Sequence, residues 1–306
     1  MHHLEAAQQK AAGGVPAVFP TLGSQILDEQ LAGYLSYVAA VGVPDVLIVG
    51  SSRALQGVEP QALQQALAVR GYSDAKVFNL GVNGATAQVV NFMMRQLLTP
   101  EQFPKLILWA GGSRAFNSLR LDRTFAGILA SPGYQAVLAN QKPEFGNDRR
   151  LLVPLQPLSA YGFLALEQRF SPETYYRQFP RILGQYDADY TRFDLTGLQT
   201  SSLVSFASFA RSQNIPLIFI NLPLTQDYLD PDRLRREQQF QAYLQQQSRA
   251  QSFGLVDLLR QWPTQYGYFA DPSHLNRYGA TAIAEQLAAR TDIPWTVLSQ
   301  PESESG

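Results

Sequence analysis

Apolar positions along the chain alternate between two rhythms. Residues 24–41 carry Ile26, Leu27, Leu31, Tyr34 and Leu35 at helical spacing, and a continuous apolar run over 45–49 follows with the length of a buried strand. The pair recurs: helical spacing over 60–70, a strand over 76–80, helical spacing over 85–98 and a third strand over 105–109. Between about 117 and 197 the regularity fades into a stretch rich in Pro, Tyr, Gln and Phe. That is too long for an ordinary connection and reads as an insertion with helices of its own. Alternation resumes with a helix over 198–213, a strand over 217–221, a Gln-rich helix over 231–251, a short strand over 255–258 and a last helix after His274 that ends near Arg290. The part of the Gln-rich helix from Arg233 to Gln247 reads as a solvated face.

Strands separated by helices argue for an α/β fold with a mainly parallel sheet. The expected organisation is one domain over 24–295 with the insertion at about 117–197. A flexible segment over 1–23 precedes it, and a polar tail over 296–306 follows.

Composition removes several kinds of chemistry. The 306 residues include 24 Lys plus Arg against 25 Asp plus Glu, so no whole-molecule field draws the protein to nucleic acid or to an anionic membrane. With no cysteine there are no thiol nucleophiles, disulfides or thiolate metal sites. Only three histidines occur, His2, His3 and His274, and the first two lie in the segment expected to be flexible. Any imidazole chemistry therefore falls to His274, and neither a metal nor another cofactor is expected. No apolar run approaches the ~20 residues that cross a bilayer, and residues 1–14 lack a charged-then-apolar leader pattern. The chain as it stands is expected to be soluble, while an upstream leader or anchor would make it periplasmic or envelope-associated.

Three short segments carry the candidate chemistry. Gly50-Ser51-Ser52-Arg53 follows the first strand, at the end of a parallel sheet where ligands bind. Alone it is also an ordinary turn with a helix cap. Asn79-Leu80-Gly81-Val82-Asn83-Gly84-Ala85-Thr86 follows the second strand and opens a helix. Its glycines let the main chain approach a substrate, and the Gly84 N–H is a natural oxyanion donor. Its spacing fits neither a dinucleotide fingerprint nor a P-loop, which leaves nucleotide binding weak. Asp271-Pro272-Ser273-His274 precedes the last helix. A three-residue separation can set the Asp271 carboxylate on the Nδ1 side of the imidazole while Nε2 faces Ser52, and the other reading is a surface histidine near a helix start.

Taken together, Gly-x-Ser after the first strand, Asn-x-Gly-x-x-Gly after the second, Gly-Gly after the third and Asp-x-x-His-Leu-Asn-x-x-Gly before the last helix resemble the SGNH, or GDSL-type, hydrolase superfamily over about 45–115 and 198–290. The resemblance implies a three-layer α/β/α flavodoxin-like fold. It also implies hydrolysis or transfer of acyl groups through a serine ester, with Ser52 as nucleophile, Gly84 as oxyanion glycine, and Asp271 and His274 completing a triad. The implied substrates are acyl esters, acetylated glycans among them.

Two departures from the pattern matter. The acidic residue usual before the nucleophile is Ser51 here, which resembles branches that act in acylation of cell-envelope polymers and exopolysaccharides. Ser51 thereby competes with Ser52 as nucleophile, although alignment to the family favours Ser52. The third block, Gly-x-Asn-Asp in the family, reads Gly111-Gly112-Ser113-Arg114 and lacks the asparagine that donates to the oxyanion. Ser113 and Asn117 rank equally as replacements, and Arg114 would donate a charged hydrogen bond. Loss of one such donor costs about 2.7–4 kcal/mol in the barrier. A non-catalytic envelope or carbohydrate-binding protein is therefore the rival expectation, with Arg53 and Arg114 gripping a carboxylate or phosphate. As solvated loop arginines the same two would do nothing of the kind. The Tyr and Phe side chains of the insertion read mostly as its own core.

Overall fold

The protein, described from a computed structural model over residues 19–143 and 157–299, is built on five strands. The expected flexible residues 1–18 with His2 and His3, part of the insertion at 144–156, and the tail at 300–306 lie outside the described residues. Strands β1 (Val46–Gly50), β2 (Val77–Gly81), β3 (Leu106–Gly111), β4 (Leu217–Asn221) and β5 (Gly254–Asp257) all run parallel in the order β2-β1-β3-β4-β5. Each lies within a residue or two of its expected position. β1 to β4 are buried along their whole length, which is why they read as mainly apolar runs, with Asn79 inside β2 and Asn221 at the end of β4, rather than as alternation.

Alternate residues of each strand feed two separate cores. Leu47, Val49, Ile107 and Trp109 face one side, where α1 (Gln25–Val41), α4 (Ala87–Phe92), α9 (Leu198–Ser212) and α10 (Pro231–Gln251) supply Leu27, Leu31, Val90, Phe206 and Phe240. Val46, Ile48, Leu106 and Leu108 face the other, under α2 (Ser52–Gly57), α3 (Pro60–Val69) and α11 (Arg277–Ala289) with Ala54, Leu63, Leu67, Ile283 and Leu287. The fold is thus three-layered α/β/α with the flavodoxin-like strand order. Among the described residues no helix is long and apolar enough to cross a membrane.

Packing extends the ordered chain beyond the expected limits. Phe19 and Leu22 are buried in the first core, within the segment expected to be flexible. Trp295 is buried in the second, and the helical turn Trp295–Ser299 continues past residue 295. The helix expected over 85–98 is in fact α4 followed by a wider π-helical turn over Met93–Leu97.

The expected solvated face of α10 is corrected most. Arg233, Glu237, Phe240, Tyr243 and Leu244 repeat at helical spacing and are buried. The Arg233 guanidinium pairs with Asp187 (2.7 Å) and Asp230 (2.6 Å), donates to the Ile182 carbonyl (3.0 Å) and lies over the Tyr228 ring. Those partners belong to the insertion and to the loop after β4, so the helix anchors the insertion to the sheet.

Within the described part of the insertion are α5 (Arg123–Leu129), α6 (Pro132–Leu138), α7 (Pro172–Gln178) and α8 (Ala188–Thr191). Its aromatic residues mostly pack, though against the domain's two cores rather than in a core of the insertion's own. Tyr134 packs on Phe92, Tyr161 on Tyr37, and Tyr175 and Tyr176 on Phe170, while Tyr186 is exposed.

Candidate active site

Strand order reverses between β1 and β3, and in parallel sheets that reversal opens a crevice at the carboxyl ends of the two strands. β1 delivers its last residue, Gly50, there with φ of +142°, and a Cβ at this position would stand 2.0 Å from the Ala110 carbonyl oxygen. Only glycine fits so tight an exit from the strand. Ser51 follows in extended conformation and caps α2, its hydroxyl accepting from the Arg53 N–H (3.4 Å). Ser52 is the first residue of the helix, half-buried, with Oγ 3.0 Å from His274 Nε2. Of the two serines, it is therefore Ser52 that faces the imidazole.

His274 comes from the loop before α11. Its Nδ1 lies 2.8 Å from Asp271 Oδ2, while Asp271 Oδ1 accepts from the backbone N–H groups of Ser273 (2.8 Å) and His274 (2.9 Å). Burial works against the Asp271 charge, but the hydrogen bond and charge of His274 and the two backbone donors outweigh it and hold the carboxyl below its usual value. A carboxyl with a lowered native pKa stabilises the fold above its unfolded value near 3.8, and that contribution is lost as pH falls through the lower native value. The stability advantage of the wild type over Asp271→Asn is accordingly expected to shrink on acidification below about pH 4, read by urea unfolding at a series of pH values. An advantage that grows on acidification would contradict the assignment.

Asn276 fixes the loop from behind. Its Oδ1 caps α11 by accepting from Tyr278 N and Gly279 N, and its Nδ2 donates to the carbonyls of Gln168, Gly267 and Phe269. Thr225 adds a hydroxyl donated to the Pro272 carbonyl (2.8 Å). Loss of a cap costs about 1 kcal/mol, and each buried carbonyl left unpaired about 1–3 kcal/mol. Asn276→Ala is expected to lose roughly 3 kcal/mol or more. Asn276→Asp keeps the cap acceptor but turns a second buried oxygen on the same three carbonyls, so it is expected to lose no less, and thermal or urea unfolding of the two variants checks both.

The end of β2 and the loop after it lie against α2. Asn79 is fully buried; its Nδ2 donates to the Ala54 (2.8 Å) and Val58 (3.0 Å) carbonyls, and its Oδ1 accepts from Gly81 N (2.9 Å). Val82 N donates to the Gly50 carbonyl (2.9 Å), and a turn from Val82 to Ala85 closes with Gly84 in the left-handed region at φ +74°. Among the described residues neither the Ser52 nor the Gly84 N–H has a hydrogen-bond partner, so both are free to donate to a ligand.

The expected third-block donors are placed differently. Ser113 is buried and donates to Glu237 Oε1 (2.6 Å), beside the Tyr190 hydroxyl, which donates to the same oxygen. Asn117 is also buried. Its Nδ2 donates to the Asp189 and Arg192 carbonyls and its Oδ1 accepts from Leu119 N and Asp194 N, so the side chain ties down the insertion. Arg53 is corrected on both expectations, as anion grip and as solvated residue. It is buried, crosses Gly112 and donates to the Leu222 (2.5 Å) and Pro223 (3.0 Å) carbonyls. Burial lowers its pKa, against the pull of the Glu237 charge. Arg114 is partly exposed, 3.7 Å from Asp189, with its guanidinium over the Tyr228 ring.

No protein-family model matches the chain, and no curated protein matches it. Solved structures similar to it include TesA (17% identity, TM-score 0.43, covering 83% of this chain and 97% of that one). A GDSL-like lipase from Bacteroides thetaiotaomicron VPI-5482 is similar at 13% identity and TM-score 0.39, covering 84% and 98%. A mutant acetyl-xylooligosaccharide esterase from Geobacillus Stearmophilus is similar at 11% identity and TM-score 0.43, covering 85% and 96%. At these values a functional assignment rests on the arrangement of Ser52, His274 and Asp271 rather than on the neighbours.

Proposed function

We propose that the chain is a serine ester hydrolase of the SGNH type, working through an acyl-serine intermediate. The observation that carries this reading is the unbroken relay from Ser52 Oγ to His274 Nε2 (3.0 Å) and from His274 Nδ1 to Asp271 Oδ2 (2.8 Å). Ser52 Oγ attacks the ester carbonyl while Nε2 takes its proton, and the Asp271 carboxylate holds the tautomer and stabilises the imidazolium. The oxyanion rests on the Ser52 and Gly84 N–H groups. Collapse expels the alcohol, which receives the proton from Nε2. Water, deprotonated by the same nitrogen, then releases the acid and restores Ser52.

The substrates proposed are short acyl esters, acetylated glycans included, and water is favoured as acceptor over a sugar hydroxyl. Transfer needs a groove that limits water, and most of the insertion aromatics that would wall one are committed to packing. One observation favours a binding-only protein instead: Ser113 and Asn117 spend their donors inside the protein, and Arg114 is drawn to Asp189 and the Tyr228 ring, so the expected third-block donors are engaged elsewhere. The test is rapid mixing with p-nitrophenyl acetate. A burst of p-nitrophenol matching the protein concentration, with the acetyl group mapped to Ser52, supports the hydrolase. A protein that releases no product and gains no mass supports the binding reading.

A further inference from the structure

With Ser113 and Asn117 both turned into the protein and Arg114 drawn to Asp189 and the Tyr228 ring, the oxyanion site holds two backbone donors and takes any third from elsewhere. One unassigned hydroxyl lies against Gly84. Thr124, the second residue of α5 in the insertion, has Oγ1 2.6 Å from where a Cβ on Gly84 would stand. The left-handed turn thus leaves the side-chain space of Gly84 to another residue's hydroxyl. Thr124 is half-buried, and among the described residues its Oγ1 makes no hydrogen bond, unlike Ser113 and Asn117.

Its position is held from both sides. Asp122 caps α5 by accepting from Phe125 N (2.8 Å), and its other oxygen accepts from Thr86 Oγ1 (2.5 Å) in the segment that carries Gly84. Gln199 of α9 donates to that same Asp122 oxygen (3.4 Å) and to Gln88 Oε1 (2.9 Å), while its own Oε1 accepts from Gln88 N (3.0 Å). The start of α5 and the Gly84 turn are therefore one framework, and a hydroxyl fixed in it changes place little as charge develops.

We infer that Thr124 is a catalytic residue, its Oγ1–H donating to the substrate oxyanion beside the Gly84 N–H in place of the asparagine missing from the third block. The inference rests on the ester hydrolase reading. It gives the insertion a share in catalysis as well as in packing.

The test compares wild type, Thr124→Val and Thr124→Ser with p-nitrophenyl acetate, alongside the rate at which a fluorophosphonate labels Ser52. Valine keeps the shape packed against Gly84 and removes the donor. Thr124→Val is expected to lower kcat/KM by about 100-fold, the lower end of what one oxyanion donor contributes. The loss should fall in kcat with KM little changed, labelling should slow in step, and the unfolding midpoint should hold. Thr124→Ser recovers most of the loss. An active wild type matched by an equally active Thr124→Val overturns the role of Thr124 and leaves the triad standing. The same holds if Thr124→Ser is as slow as the valine variant. A wild type that neither turns over ester nor takes the label overturns the triad and this inference together.

Discussion

His274→Ala is expected to lower ester turnover by about four to six orders of magnitude, and Ser52→Ala by a similar factor, because either change stops the same proton transfer. The two losses are not additive: the double variant should be no slower than the worse single one. His274 is the only imidazole in the described chain, so no neighbouring ring can take over as base. Asp271→Asn keeps Ser52 and His274 in place but loses the acceptor that fixes the Nδ1 proton, and falls somewhat less far. Ser52→Ala should lower stability by no more than about 1 kcal/mol, since its side chain is partly open to solvent, whereas His274→Ala takes from the Asp271 carboxylate its main partner and is expected to cost more. Steady-state kinetics with p-nitrophenyl acetate, with unfolding measured in parallel, checks both parts. A His274→Ala protein within tenfold of wild type would place the base elsewhere.

Gly50→Ala is expected to produce the largest loss of stability among single methyl additions near the site. The methyl would sit 2.0 Å from the Ala110 carbonyl oxygen and 2.9 Å from the Ala54 Cβ, at a φ of +142°. Strain in so sparsely populated a conformation costs about 1–3 kcal/mol, and overpacking about 1–3 kcal/mol more. Relief comes only by moving β1 away from β3 or lifting α2, and either movement carries Ser52 off His274. The expected outcome is a fall of roughly 3–5 kcal/mol in unfolding free energy, with residual activity depressed even in the folded fraction. Urea titration followed by enzyme assay separates the two. A variant less than 1 kcal/mol below wild type with full activity would contradict the account of this turn.

Sequence patterns revealed those parts of the protein that short-range rules govern. The strands were readable because a sheet covered on both faces leaves each strand no exposed side, hence continuous runs such as 46–49 and 106–109. The pairing of Asp271 with His274 was readable because both come from one loop before one helix. Facing Ser52 rather than Ser51 towards His274, 222 positions away, was expected from the resemblance to the SGNH superfamily, beside the rule that ligands collect at the strand ends.

Residues whose distant partners carry no motif were not readable. Ser113 turns inward because Glu237 and Tyr190, 124 and 77 positions on, converge on its hydroxyl, and nothing near Ser113 announces that. Asn117 and Arg53 likewise spend their donors on distant carbonyls that carry no motif. The Arg/Gln-rich stretch of α10 looked solvated because Arg233 and Glu237 are charged. Their helical spacing with Phe240 and Leu244 was visible, but the insertion covering them was not. Thr124 sits in a segment without any motif, and only its contact with Gly84 singles it out.

The central claim, that His274 makes Ser52 nucleophilic, is tested most directly by treating the folded protein with a fluorophosphonate and mapping the modified peptide, with Ser52→Ala and His274→Ala in parallel. Such a probe needs an activated serine and no knowledge of the natural ester. The account predicts a single label on Ser52, absent from Ser52→Ala and nearly absent from His274→Ala. A label on Ser51, or no label on any serine of a folded protein, would contradict it.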